Sequence, residues 1–177
     1  LQWDDFNDDN SLVIRRSLVW TSKPDENDTA TTTWETGLVV RNTKTDAKGH
    51  RVVALPAPLA DMLRALRVRQ VTMSLAAGFG DPVWMFSHTA GRTPWMPDYA
   101  THRFVDLCKD LDIDGVRLHD LRHFMATQLL AAGEAISTVS HRLGHSNVTV
   151  TLGTYSHYLK AADQAAAETM GRILNRG

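Results

Sequence analysis

Two glycines divide the stretch from residue 118 to residue 158 into helical segments. Gly133 follows an apolar pattern with helical spacing, and Gly144 follows a second, shorter pattern that starts at Ala135. Because glycine readily adopts the left-handed conformation that commonly ends a helix, each glycine predicts a helix C-terminus. Ser146 is suited to cap the helix that follows. The stretch is therefore predicted to fold as three helices joined by short turns.

The first of these helices carries side chains that can bind a phosphate. His119 and Arg122 are three residues apart, so they share one face of the helix. An arginine can hold a phosphate through two parallel hydrogen bonds, and a histidine one turn away can add a further donor. Taken alone, the pair is better explained as a solvated helix face, or as side chains paired with Asp120.

His145 and Tyr155 make an active site the stronger interpretation. His145 lies at a helix boundary, where residues often contact anions, although it can also cap its own turn. A tyrosine hydroxyl has an ordinary pKa of about 10 and is a poor nucleophile at neutral pH. Donors that stabilise the charge growing on a bound phosphate would allow it to attack and form a phosphotyrosine. In isolation, Tyr155 and Tyr158 would be half-buried aromatic residues.

Three motifs in this stretch together resemble the C-terminal half of the catalytic domain of tyrosine recombinases, the phage integrase family. They are HDLRH at 119–123, LGH at 143–145 and TYSH at 154–157. The resemblance implies that Arg122 is the second of the family's two catalytic arginines. It implies that His119 and His145 are the active-site histidines and that Tyr155 is the nucleophile. The implied function is a site-specific recombinase that cleaves and rejoins DNA through a 3′-phosphotyrosine intermediate, without a cofactor or a metal.

Lys44 lies in a predicted turn within the phrase TKTDAKGHRVVALP. It resembles the family's sheet-turn lysine, which implies that Lys44 protonates the leaving 5′-oxygen. An expelled alkoxide is strongly basic and needs a proton as it departs. The alternatives are a solvated turn lysine or one that contacts a phosphate without a catalytic role, and Lys48 is a nearby competitor.

The N-terminal third of the chain is predicted to form strands. Strand-like segments occupy 12–20, 35–41 and 50–55, with a polar loop over 22–33 and a hairpin turn over 42–49. Helices are predicted over 57–76, 98–110 and 160–176. The predicted fold class is α+β and mostly helical, with a small three-stranded antiparallel sheet packed beside a helical bundle, as in the tyrosine recombinase catalytic domain.

The length of 177 residues predicts one domain, with mainly strands and turns over 1–56 and mainly helices over 57–177. The opening phrase LQWDDFN resembles the segment that follows the helix carrying the family's first catalytic arginine. The resemblance therefore implies a single catalytic domain truncated at its N-terminus, lacking that arginine and the family's DNA-clamping domain. Such a fragment is expected to be impaired, or inactive, on its own.

The net charge of −1 argues against a strong nucleic-acid binder, because DNA-binding proteins usually carry a basic excess. Basic groups at 44–51 and 64–69 still allow a basic face. The resemblance implies double-stranded DNA as the partner and a homo-oligomer, a dimer or a tetramer, assembled on it. The single cysteine, Cys108, excludes an internal disulfide and fits a reducing interior. No stretch is apolar enough to span a membrane, and the resemblance implies a cytoplasmic protein of bacterial or phage origin.

Two other functions stay open at this stage. The chain can be a DNA-binding module that has lost catalysis, which the missing first arginine favours. It can also hold a metal, because the pairs His119–His123 and His141–His145 each have a four-residue spacing that suits zinc on a helix face. No glutamate is adjacent in these HxxxH phrases, so they do not form a zinc-hydrolase motif.

Overall fold

The computed structural model describes the backbone of residues 1–20, 32–33, 38–42, 50–145 and 147–174, and their side chains except at 32–33, 42, 156–162 and 165–166. The chain divides into two compact units, Leu1–Leu107 and Cys108–Gly177. In the described part of the chain, no helix combines the length and the apolarity needed to cross a bilayer.

The strands of the first unit form two small antiparallel sheets. Strand β1 (Ser11–Ile14) pairs with β5 (Arg51–Ala54), and β4 (Leu38–Asn42) lies between β2 (Arg16–Trp20) and β3 (Thr32–Thr33). The α+β class, mostly helical with a small three-stranded antiparallel sheet, is therefore confirmed. The strand partners differ from those expected, because the segment after the predicted hairpin pairs with β1.

A break at Arg15 separates β1 from β2. Arg15 and Arg16 both donate hydrogen bonds to the buried carboxylate of Asp5, at 2.6 and 2.7 Å. The backbone N–H of Gln2 donates to the same carboxylate at 2.8 Å. Burial alone would raise the pKa of Asp5, but these three hydrogen bonds favour its charged form, and the net effect is a lowered pKa.

Helix α1 (Ala57–Ala76) has the predicted bounds and follows Pro56, whose extended backbone serves as the N-cap. The apolar residues at helical spacing predict one inward face, formed by Leu59, Met62, Leu63 and Leu66. The buried face differs, since Met62 is 69% exposed while Gln70 is buried. Gln70 is buried because its amide is satisfied on both sides. It accepts from the Trp3 indole N–H at 2.8 Å and donates to the Met85 carbonyl at 2.9 Å.

Helix α2 (Tyr99–Asp110) crosses the boundary between the units, and three further helices follow it. These are α3 (Leu118–Ala131), α4 (Ile136–Leu143) and α5 (Val148–Leu174). Gly133 and Gly144, at φ of 89° and 74°, adopt the left-handed conformation expected after α3 and α4. Inside α5 the backbone of Tyr155 departs from helical geometry, with φ −120° and ψ 25°, so α5 consists of two helices joined at a kink.

The core of the second unit is built from α3, α4 and α5. It consists of Ala126, Val139, Leu143 and Tyr155, with Met125, Leu129 and Leu130 packed against it. The apolar spacing of α3 predicts a buried stripe formed by Leu118, Leu121, Phe124, Met125, Leu129 and Leu130. This is wrong for Phe124, which is 63% exposed. Ala126 is fully buried instead. Its small side chain allows α3 to approach its neighbours closely.

Candidate active site

One pocket of about 400 Å³ in the second unit brings together side chains from α3, the turn after α4, and α5. Four of the five residues predicted for the active site line it, while Lys44 lies outside the described residues. The lining residues are His119, Arg122, His123, Leu143, His145, Val150, Thr154 and Tyr155.

Arg122 is anchored through one edge of its guanidinium group. Its Nη2 donates to the backbone carbonyl of Leu143 at 2.5 Å. Leu143 is the last residue of α4, where carbonyl oxygens lack partners within the helix. The contact therefore satisfies the helix end and fixes the guanidinium, which has five N–H donors in all.

Asp120 does not neutralise this arginine, because its carboxylate pairs with Arg117. The guanidinium of Arg117 donates to Asp120 at 2.9 Å, and the Arg117 backbone N–H donates to it at 2.8 Å. These hydrogen bonds hold the pKa of Asp120 below its ordinary value. The pairing of Asp120 with Arg122 or His119, considered from sequence, is thus replaced by a cap at the start of α3.

His145 directly follows the glycine that ends α4, and its ring is held by α5. Its Nδ1 lies 2.7 Å from Oγ1 of Thr151, a side chain with no exposed surface. Burial lowers the pKa of His145, and repulsion from Arg122, and from His123 when that ring is protonated, lowers it further. The neutral imidazole is therefore the favoured form at neutral pH.

Tyr155 lies at the kink of α5 and is only 5% exposed. Its hydroxyl is 2.9 Å from Nδ1 of His123. Burial raises the pKa of Tyr155, and the charge of Arg122 acts in the opposite direction. The hydroxyl thus reaches the pocket while the ring forms part of the core, so the packing of the unit fixes its position.

His119 lies one turn before His123 on α3. The two rings meet edge to face, with their centroids 5.0 Å apart. Both histidines line the pocket beside Arg122. Among the residues that the structure describes, no group of three His, Cys, Asp or Glu side chains is arranged to hold a metal ion.

Two side chains in or next to this pocket had no catalytic role assigned from sequence. His123 belongs to the HDLRH motif, but the motif does not show that its ring reaches a tyrosine 32 residues later. Thr151 gives no sequence signal, since a threonine within a helix usually faces solvent or bonds to the preceding turn. Tyr158, the alternative nucleophile, lies in a part of α5 for which only the backbone is described.

The chain is similar in sequence to a known protein family and to individual curated proteins. Residues 21–162 match the model of the phage integrase family. The ICEBs1 integrase of Bacillus subtilis is 27% identical over 144 residues, which cover 80% of this chain and 39% of that protein. The tyrosine recombinase XerC-like protein of Caldanaerobacter subterraneus is 31% identical over 131 residues, covering 70% of this chain and 32% of that protein.

A similar fold occurs in a solved structure. The Tn1549 transposon integrase in complex with transposon right end DNA superimposes with a TM-score of 0.69 at 18% identity. The match covers 97% of this chain and 52% of that chain. The chain thus spans about two-fifths or less of the two curated relatives above, and about half of the structural neighbour.

Proposed function

The chain belongs to the phage integrase family, and from that premise we propose that it carries the DNA-cleaving site of a site-specific recombinase. One observation carries the proposal. A buried tyrosine presents its hydroxyl to the same pocket as an anchored arginine and two further histidines of the family motifs, His119 and His145. Such a site can hold a backbone phosphate and attack it. Under this proposal, residues 1–177 belong to a single catalytic domain.

Arg122 is the main phosphate ligand in this proposal. Because its guanidinium is already fixed by the Leu143 carbonyl, little side-chain freedom is lost when a phosphate binds. Its remaining donors can hold two non-bridging oxygens in parallel. They then stabilise the charge that grows on those oxygens in the transition state.

His145 supplies a second, uncharged donor. We assign the Thr151 hydroxyl as the donor to Nδ1, which places the single proton of the neutral ring on Nε2. An Nε2–H group at this pocket can donate to a phosphate oxygen. His119 adds a third donor from α3 under the same proposal.

Tyr155 is the nucleophile in the proposed reaction. Its hydroxyl oxygen bonds to the phosphorus as the bond to the 5′-oxygen breaks, giving a 3′-phosphotyrosyl link and a free 5′-hydroxyl. We propose that Lys44 protonates the departing 5′-oxygen. The 5′-hydroxyl of a second DNA end then reverses the step, so the bond energy is retained and no nucleotide cofactor is consumed.

The proposed partner is double-stranded DNA, bound by a dimer or a tetramer of the protein. Support for the DNA partner comes from the neighbouring Tn1549 integrase, which was solved in complex with transposon and circular intermediate DNA. The near-neutral charge of the chain, −1, predicts that DNA affinity depends on a localised basic face.

The proposal is tested by trapping the covalent intermediate. The natural protein that contains this chain is incubated with a nicked suicide duplex carrying its candidate site, so that the released 5′ fragment diffuses away. We expect a protein–DNA adduct that survives denaturing electrophoresis and is absent in Tyr155→Phe. Tyr158→Phe and Tyr99→Phe, at the chain's two other tyrosines, are the matched controls and should retain it.

Three outcomes contradict the proposal in different ways. An adduct that persists in Tyr155→Phe and disappears in Tyr158→Phe moves the nucleophile to the second tyrosine. DNA binding without any adduct supports the inactive DNA-binding module. Cleavage that stops on addition of EDTA indicates a metal-dependent reaction instead.

A further inference from the structure

The hydroxyl of Tyr155 is joined to His123 by a 2.9 Å contact with Nδ1, and their ring centroids are 6.2 Å apart. We propose that His123 is the catalytic base that accepts the Tyr155 proton when the tyrosine attacks the phosphate. This inference rests on the proposed recombinase function and adds a residue to its machinery.

The need for a base follows from the surroundings of Tyr155. The ring is buried in the core of the second unit, and this burial raises the pKa of its hydroxyl. At neutral pH the nucleophile is therefore a neutral phenol, which attacks well only if its proton leaves as the new bond forms. Nδ1 of His123 is the nitrogen within hydrogen-bond distance of that proton.

The position of His123 suits a proton acceptor. A neutral imidazole that carries its proton on Nε2 has a lone pair on Nδ1 and accepts a hydrogen bond from the phenol. His123 is exposed, whereas Tyr155 is buried, so the far nitrogen can exchange protons with water. The pair thus connects a buried nucleophile to the solvent.

The groups that surround His123 come from each element of the pocket. They are His119, Asp120 and Arg122 on α3, His145 after α4 and Tyr155 on α5. Among these groups, Arg122 carries a positive charge, and the carboxylate of Asp120 is paired with Arg117. After attack, the charge on the new imidazolium is balanced by the phosphate that now carries the tyrosine.

The proton and bond balance is complete in both directions. During cleavage the Tyr155 O–H bond breaks, its proton moves to Nδ1, the O–P bond forms, and the bond between phosphorus and the 5′-oxygen breaks. The departing 5′-oxygen takes its own proton from Lys44 in the proposed scheme. During rejoining the 5′-hydroxyl of the DNA end returns a proton to Lys44 and bonds to the phosphorus. The bond between phosphorus and the Tyr155 oxygen breaks, and that oxygen recovers its proton from the His123 imidazolium.

The variant His123→Asn distinguishes a catalytic base from a residue that only positions the Tyr155 hydroxyl. The asparagine amide can still bond to the Tyr155 hydroxyl from nearly the same place, but it cannot accept a proton. We expect the single-turnover rate of adduct formation to fall roughly 100-fold, the typical contribution of a general base. The matched control is His141→Asn, the same change at an exposed position of α4, which should react like the wild type.

A pH profile gives the second signature. The wild-type rate should fall as the pH is lowered, because a protonated imidazole cannot accept the phenol proton. We expect a flatter profile for His123→Asn than for His141→Asn, because only the change at position 123 removes the proposed proton acceptor. Equal profiles would overturn the proposal.

Replacing Tyr155 with a fluorotyrosine adds an independent measurement. A more acidic phenol needs less help from a base, so the deficit of His123→Asn should shrink in the fluorotyrosine protein. An unchanged deficit would assign His123 a structural role and refute the inference. If His123→Asn does not fold, as judged by thermal melting, His123→Gln is carried through the same assays.

Failure of this inference and failure of the recombinase proposal give different results. If the wild type forms no adduct on its site, the recombinase proposal fails and the base is lost with it. If the wild type forms an adduct and His123→Asn matches its rate, the recombinase stands and only the role of His123 is refuted.

Discussion

Replacing Thr151 with valine tests how the histidine after α4 is controlled. Valine has nearly the same shape as threonine but lacks the hydroxyl, so the change removes the 2.7 Å contact to His145 without opening a cavity. Thr151 has no exposed surface, so water does not reach its position from outside the helix. The perturbation is therefore confined to one hydrogen bond.

The expected loss of stability follows from the removal of that single hydrogen bond. A neutral hydrogen bond contributes about 1 kcal/mol to folding, which corresponds to a fall in Tm of roughly 2–4 °C for a chain of this length. The effect on cleavage should be larger. Without the Thr151 hydroxyl the His145 ring is no longer held with its proton on Nε2. Complete loss of one transition-state donor costs about 100-fold to 1,000-fold, and the loss here should be smaller because the ring itself remains. We expect the rate of adduct formation to fall between about tenfold and about 100-fold.

The assay is single-turnover adduct formation on the nicked duplex, run well below the Tm of every variant. Thr151→Ser retains the hydroxyl and should keep most of the activity. Thr149→Val makes the same chemical change on the exposed side of α5 and should leave both rate and Tm near wild type.

The outcome that refutes this reasoning is a Thr151→Val protein with the expected loss of Tm and an unchanged rate. The hydroxyl would then stabilise the helix without directing His145. A comparable rate loss in Thr149→Val would instead attribute the effect to altered helix propensity.

Three further changes test the site and the packing that supports it. Arg122→Lys keeps the charge but loses the planar pair of donors, so adduct formation should fall about 100-fold while gel-shift affinity for DNA changes little. Leu143→Ala truncates a side chain that is 2% exposed, and urea unfolding should show a loss of about 2–5 kcal/mol; a loss below about 1 kcal/mol would contradict the assigned core. The pKa of Asp5 is lowered in the fold, so its contribution to stability is present above the unfolded-state pKa of about 3.9 and is lost as the pH falls through the folded-state pKa. Urea midpoints measured at about pH 5 and about pH 3 should therefore fall less in Asp5→Asn than in the wild type, and equal falls would contradict the assigned pairing.

The sequence predicted the ends of α3 and α4 well, because glycine marks them, whereas the helix predicted over 160–176 is part of the longer, kinked α5. Gly133 and Gly144 follow helices at the expected places, and both adopt the left-handed conformation. The motif residues His119, Arg122, His145 and Tyr155 lie around one pocket, although their roles stay predictions.

The sequence did not predict which side chains control the reactive groups. The contact between His123 and Tyr155 depends on how α3 lies against the kinked α5, which no local pattern encodes. Buried polar residues caused a similar error in the first unit. Gln70 faces the core because the Trp3 indole and the Met85 carbonyl form hydrogen bonds with its amide. The apolar periodicity of the sequence would instead place this polar residue on the exposed face.

The turn Leu143-Gly144-His145 combines three requirements in three consecutive residues. The Leu143 side chain fills the core while its carbonyl holds Arg122, Gly144 adopts a conformation that strains other residues, and His145 enters the pocket. Few substitutions at this turn should therefore be neutral, because a change at any of the three positions affects both folding and catalysis. A library randomised over these three codons should return few survivors, with stability and activity lost together.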